Sequence, residues 1–152
     1  MHHTMFSRRR PAAGFTLIET MCVVAITGIL SSIAYPSCVG ALHKVRRSDA
    51  LVAMMQVRLA QERFRADNPS YGGSLSEIGL RSVSASRHYA LNISANSQTG
   101  FEVVAAATGA QQSDSRCRYL KLTVAGAEVS YASGPDGAVD NPDSVNRQCW
   151  GQ

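Results

Sequence analysis

The sequence predicts an α+β protein, a long N-terminal helix packed on a four-stranded antiparallel sheet, and three observations predict it. An apolar run from Phe15 to Leu42 carries, after Glu19, no ionisable side chain except the thiols of Cys22 and Cys38 and the phenol of Tyr35. Apolar residues then keep a helical period to about Asp67. Beyond Arg87 the period falls to two, in four short stretches separated by turn residues. The segments are 1–14 as a leader, 15–42 as a hydrophobic helix and 43–152 as an α+β headgroup. The 110 residues of the last segment are enough for a single modest core.

Residues 1–14 are polar and basic, with Arg8, Arg9 and Arg10 and the breakers Pro11 and Gly14. An ordinary secretory signal places its small-residue cleavage site after the apolar stretch. Here Ala12, Ala13 and Gly14 come before it. The arginines hold the leader in the cytoplasm by the positive-inside rule, whereas Lys44, Arg46 and Arg47 beyond the span argue the opposite way. Charge alone leaves the orientation open. The formal net charge of +4 and pI near 9.1 suggest a nucleic-acid or membrane surface partner, but the leader arginines account for most of it. Without them the balance is 12 basic against 11 acidic residues.

About 20 apolar residues suffice to cross a bilayer, and 15–42 exceeds that. An ionised Glu19 near the start of such a span costs on the order of 3 kcal/mol, so something must compensate it. Thr27, Ser31 and Ser32 bond back to the preceding turn or to another helix. Gly28 weakens the helix locally, and Pro36 removes a backbone donor and bends it. The segment is either an ordinary anchor or a helix built to leave the bilayer and repack against other helices. Cys22 and Cys38, 16 residues apart on one helix, are separated by roughly 24 Å and cannot pair. They read as small apolar residues.

From Phe15 to about Asp67 the chain reads as one helix. In its second half Ala50, Ala53, Val57, Ala60 and Phe64 form one stripe at 100° per residue. Leu51, Val52, Met55 and Leu59 form a second, roughly opposite. Asp49, Gln56, Arg63 and Asp67 divide them on one side, and Arg58, Gln61 and Arg65 on the other. Two stripes imply two partners, the protein's own sheet and neighbouring subunits, unless a loop covers the second. Asn68-Pro69-Ser70 ends the helix.

Residues 71–86 read as a Gly- and Ser-rich loop with at most a short turn at Leu75 to Leu80. Tyr89, Leu91, Ile93 and Ala95 then alternate with Ala90, Asn92 and Ser94, giving a half-buried strand. Asn96 to Gly100 is turn chemistry, and Phe101 to Ala107 is the second strand. The third is Arg116 to Val124, with Leu120, Leu122 and Val124 opposite Tyr119 and Lys121. Ala125-Gly126 turns the chain into the fourth, Glu128 to Ala132. From Gly134 onward no periodicity is evident. Cys117 and Cys149 are either a disulfide, which requires an oxidising compartment, or two buried thiols. Closing that loop contributes roughly 3–4 kcal/mol in the chain-entropy model.

A short basic leader, then Gly14, then Phe15-Thr16-Leu17-Ile18-Glu19 heading a hydrophobic helix resembles the type IV pilin family. The likeness extends through Gly28, Ile29, Ala34 and Pro36, the Gln61-Glu62-Arg63-Phe64 stretch, and the ending Cys149-Trp150, which is similar to PilE-type minor pilins. It is loose between about Gly72 and Arg116. Cys38 stands where many relatives carry an aromatic residue, and Thr20 where an apolar one is common. The resemblance implies the pilin fold, a Cys117–Cys149 disulfide, cleavage between Gly14 and Phe15 by a membrane aspartyl prepilin peptidase, and N-methylation of Phe15. It also implies an inner-membrane single-pass protein with a periplasmic headgroup, later part of an extracellular pilus. The implied partners are other pilin subunits and the inner-membrane assembly platform. Glu19 would meet the free amine of a neighbouring subunit's first residue and set axial register, since a buried charge is tolerable only when paired.

An enzyme needs convergent reactive groups, and His2, His3, His43 and His88 form neither a triad nor a metal spacing. Asp136, Asp140, Asn141 and Asp143 crowd one loop but do not fit the EF-hand pattern, and they read as solvated turn residues. No cofactor is implied. Some minor pilins act as receptors for uptake DNA, and Arg81, Arg87, Arg116, Arg118, Lys121 and Arg147 would form a phosphate-tracking patch if they gathered on one face. An even spread of solubilising charge is the competing reading. A pseudopilin of type II secretion is a further alternative.

Overall fold

A computed structural model describes residues 14–152, the side chain of Pro36 excepted. Residues 1–13, including His2, His3, Arg8, Arg9 and Arg10, lie outside the described residues, as does the Pro36 ring on which the expected bend depends. The chain divides into two units, one ending at Cys38 and the other Val39–Gln152. Helix α1, Leu17–Asp67, contributes to both and is helical through Gly28 and Pro36.

In the first unit every large apolar side chain from Phe15 to Tyr35 is more than half exposed, on all sides of the helix. This is the one helix, among the described residues, long and apolar enough to cross a membrane. The hydroxyls of Thr27 and Ser32 bond back within their own turns. Thr27 Oγ1 donates to the carbonyls of Val23 and Val24 at 2.9 and 3.0 Å, and Ser32 Oγ to that of Ile29 at 2.7 Å. No second helix is needed to satisfy these two.

The second unit packs the rest of α1 on a sheet of order β1-β2-β3-β4. Its strands are β1, Tyr89–Asn96, β2, Gly100–Ala107, β3, Tyr119–Ala125, and β4, Glu128–Gly134. All neighbours are antiparallel. Ala50, Ala53, Met54, Val57 and Gln61 are buried, at the i, i+3, i+4, i+7, i+11 spacing of one helix face. The four apolar ones belong to one core with Tyr89, Leu91, Ile93, Phe101, Val103, Ala105, Leu120, Leu122 and Val124. The predicted small-residue stripe is thus the sheet-facing one. The opposite stripe keeps Val52, Met55 and Leu59 about half exposed and Leu51 half-buried.

Four expectations are corrected. Gln61 is not a divider but fully buried. Its amide mimics a backbone, donating from Nε2 to the Gly72 carbonyl and accepting from the Gly72 N–H, both at 2.8 Å. Gly72 fits because a Cβ there would lie 2.7 Å from Ile78 Cγ2. Ala95 is exposed, since a register shift between Ile93 and Ala95 breaks the alternation. Strand β3 begins at Tyr119, while Gly109–Ser113 forms a 3-10 turn before it. Finally, the tail holds helix α2, Asp143–Trp150, too short for periodicity to reveal. Pro142 precedes it, Asp143 favours its positive end, and Gly151 closes it in the left-handed conformation at φ 72°.

Candidate assembly surface and basic cluster

The start of α1 is built from Thr16. Its Oγ1 accepts the Glu19 N–H at 3.2 Å, and its carbonyl accepts the Thr20 N–H at 3.2 Å. Thr16-Leu17-Ile18-Glu19 therefore has the spacing of a capping box, with Glu19 in the first turn where the helix dipole favours a negative charge. That local reason for a carboxylate was legible in the sequence and missed. It contributes about 0.3–1 kcal/mol, well short of the roughly 3 kcal/mol that a charge in hydrocarbon costs. Phe15 is 84% exposed. Cys22 and Cys38 are free and exposed.

In the headgroup, Cys117 and Cys149 form a disulfide with a Cα–Cα distance of 5.6 Å. It ties α2 to the segment leading into β3. Around it lies a polar network that sequence reasoning did not find, because its members are far apart in the chain. Arg47 grips Asp114 through Nε–Oδ2 at 2.6 Å and Nη2–Oδ1 at 2.9 Å, and its Nη1 donates to the Gln148 carbonyl at 3.3 Å. Gln111, fully buried, donates to Asp114 Oδ2 at 3.0 Å and to the Tyr89 hydroxyl at 3.1 Å. Burial pushes the Tyr89 phenol up to about 12. Asp49 makes a second anchor, accepting from the Ser84 hydroxyl and from the Ser86 and His88 amides. Burial raises its pKa, yet these bonds and the His88 charge outweigh that and hold it below the ordinary value.

The six basic residues predicted as a patch separate into groups. Arg81 lies beyond the β1 edge, where residues 82–83 run alongside the strand. Arg147 is on α2, which lies along β4 with Asn146 Nδ2 donating to the Tyr131 carbonyl and Trp150 Nε1 to that of Ala132. These two sit off opposite edges, roughly 14 Å or more apart by strand spacing. Lys121 is on the outer sheet face, paired with Glu102 at 3.7 Å. Arg87, Arg116 and Arg118 are brought to one end of the sheet. Thr108 Oγ1 donates to the Arg87 carbonyl at 2.8 Å, and the Ala107 amide to the Arg118 carbonyl at 2.7 Å, so one strand separates Arg87 from Arg118. Arg116 follows through Cys117, and its carbonyl accepts from Asn141 Nδ2 at 2.7 Å. All three arginines are exposed. Among the described residues, no group of three or more His, Cys, Asp or Glu side chains is placed to hold a metal.

Residues 36–121 match the family model described as type IV minor pilin ComP, DNA uptake sequence receptor, and residues 9–35 match the prokaryotic N-terminal methylation motif. The chain is 30% identical over 136 residues to the type IV major pilin protein PilA of Myxococcus xanthus, covering 87% of this chain and 56% of that protein. It is 33% identical over 92 residues to the type IV wide pilus major component PilA4 of Thermus thermophilus, covering 58% and 70%. A type II secretion system core protein G from Klebsiella michiganensis is 33% identical over 76 residues, covering 50% and 52%. The chain thus spans about half the length of the first of these curated relatives. With a family model matching more than half of its residues, a methylation motif at the head of its apolar helix and an α+β headgroup behind it, the chain belongs to the type IV pilin family.

Proposed function

We propose that this protein is a minor type IV pilin, a filament subunit rather than a catalyst. The observation that carries the reading is the helix from Leu17 to Tyr35, apolar on every side and covered on none, with one carboxylate at its head. Such a helix requires burial on all sides, first in a bilayer and then among identical helices. In this reading the prepilin peptidase cuts between Gly14 and Phe15 and the new amine of Phe15 is N-methylated. The headgroup lies in the periplasm until the inner-membrane platform adds the subunit to a surface pilus. Glu19 pairs with the Phe15 amine of a neighbouring subunit and fixes its axial register. Glu19→Ala is expected to leave cleavage intact while removing the protein from pili sheared off its native host. Normal incorporation of that variant would sink the register role.

A second reading, a receptor for uptake DNA on the same scaffold, is favoured by the family match over residues 36–121 and by the grouping of Arg87, Arg116 and Arg118. Three phosphate contacts give an affinity that falls with salt at a log–log slope of about −2 to −3. The measurement is duplex binding by the detergent-solubilised full chain across a salt series. A flat response, or no binding at low salt, removes this reading.

A further inference from the structure

Beside the basic cluster lies a cleft of about 380 Å³, lined by Ala107, Gln112, Arg118, Tyr119, Pro135 and Asp136. That volume is within the span of about 300–1,000 Å³ typical of small-ligand sites. Neither the family description nor the charge pattern assigns it a role. Its chemistry is selective. Tyr119 is half-buried on the outer face of β3, and its ring makes no aromatic pair among the described residues. Arg118 is fixed at the rim, because its Nε donates to the Gln112 carbonyl at 2.7 Å, which leaves the guanidinium's terminal nitrogens for another acceptor. Asp136 Oδ1 is engaged by the Ala138 amide at 3.0 Å. Its second oxygen is available to accept.

We propose that this cleft holds one unpaired nucleobase, stacked on Tyr119, while Arg118 and the neighbouring Arg87 and Arg116 hold the flanking phosphates. The inference rests on the DNA reading above and adds to it the form of the ligand. The exposed Asp136 carboxylate in the cleft lining repels phosphate, so the strand's backbone stays on the arginine side and a base takes the side that Asp136 and Tyr119 line. Within a duplex each base face is already stacked on its neighbours, so a single strand, a frayed end or a bulge supplies the ligand. Asp136 accepts from an exocyclic amine, as carboxylates do from cytosine N4, and Gln112 supplies an amide to a base edge. Thymine, which has no exocyclic amine, is the weakest occupant.

The test uses the full chain in detergent micelles and short single-stranded oligonucleotides carrying one 2-aminopurine, beside the matching fully paired duplex. Stacking on Tyr119 is expected to quench the 2-aminopurine fluorescence on binding. Tyr119→Leu is expected to weaken the single strand by roughly 5- to 150-fold and abolish the quench, while duplex affinity stays unchanged. Tyr119→Phe keeps the ring and restores both, which separates lost stacking from lost folding. Duplex binding together with single-strand affinity and fluorescence that ignore Tyr119→Leu would overturn the cleft and leave the DNA reading standing. If neither nucleic acid binds at low salt, both fall together.

Discussion

Two stretches of the same helix meet opposite fates. Between Leu17 and Tyr35 the large apolar side chains stand open, with Leu17 at 81% and Ile33 at 70% exposure. Between Ala50 and Gln61, Ala50 and Met54 are fully covered and Val57 nearly so. Helical conformation is common to both, so the difference lies in packing alone. The second stretch has an amphipathic pattern that the protein's own sheet can use. The first is apolar all round, and no single sheet face can cover it. At about 1.5–3 kcal/mol for each large apolar side chain buried, that stretch holds a large association energy that the chain does not use on itself. Burial within the fold is concentrated in the headgroup, and in the filament reading proposed above the anchor supplies the assembly energy.

The strongest way to break that division is at Arg47. Its guanidinium is the cation bonded to Asp114, whose side chain is only 6% exposed. Arg47→Ala leaves the carboxylate buried with the Gln111 amide as its remaining side-chain donor. Orphaning a buried charge costs about 3–5 kcal/mol, and the low end applies because Arg47 itself keeps some exposure. The denaturation midpoint of the full chain in micelles, followed by near-ultraviolet circular dichroism of the headgroup aromatics, reads this directly. Ile29→Ala is the matched control and is expected to stay within about 0.5 kcal/mol. Equal losses in the two variants would erase the contrast between the regions.

Legibility in the sequence follows the same division. The anchor was readable as an unbroken apolar run, and the start of the sheet pattern and the two stripes of α1 as local regularities of period 2 and 3.6, but which stripe faces the sheet was not. The four strands were placed to within a few residues for that reason. What failed was non-local. Nothing near Arg47 announces Asp114, and nothing near Gln61 announces the Gly72 amide it satisfies. Gln61 looked like a solvent-facing divider because its polarity was visible and its partner was not. Helix α2, at 8 residues, is shorter than the window over which periodicity can be measured. Among the candidate site residues, type and exposure were legible, but convergence was not. Three of the six basic residues share one end of the sheet only because β1, β2 and β3 bring it together.

A smaller and sharper probe of the headgroup is the acid limb at Asp49. Three hydrogen bonds from Ser84, Ser86 and His88 tie this α1 carboxylate to the loop that leads into β1. Its folded pKa lies below the ordinary value of 3.8. A depressed carboxylate stabilises the fold at pH above the unfolded value, and the contribution is lost as pH falls through the folded one. Asp49→Asn keeps the shape and an acceptor oxygen but removes the charge. At neutral pH it is expected to cost about 1 kcal/mol, the difference between charged and neutral hydrogen bonds, kept modest by the site's partial exposure. The gap between the two proteins should begin to narrow near pH 4 and close only below the depressed folded value, where protonation does to Asp49 what the substitution did. A gap that persists or widens in acid would mean that the loop is held by shape and not by charge. In that case the headgroup's stability near α1 would come from the same apolar packing that covers Ala53 and Val57, and the anchor and headgroup would differ only in where their apolar partner comes from.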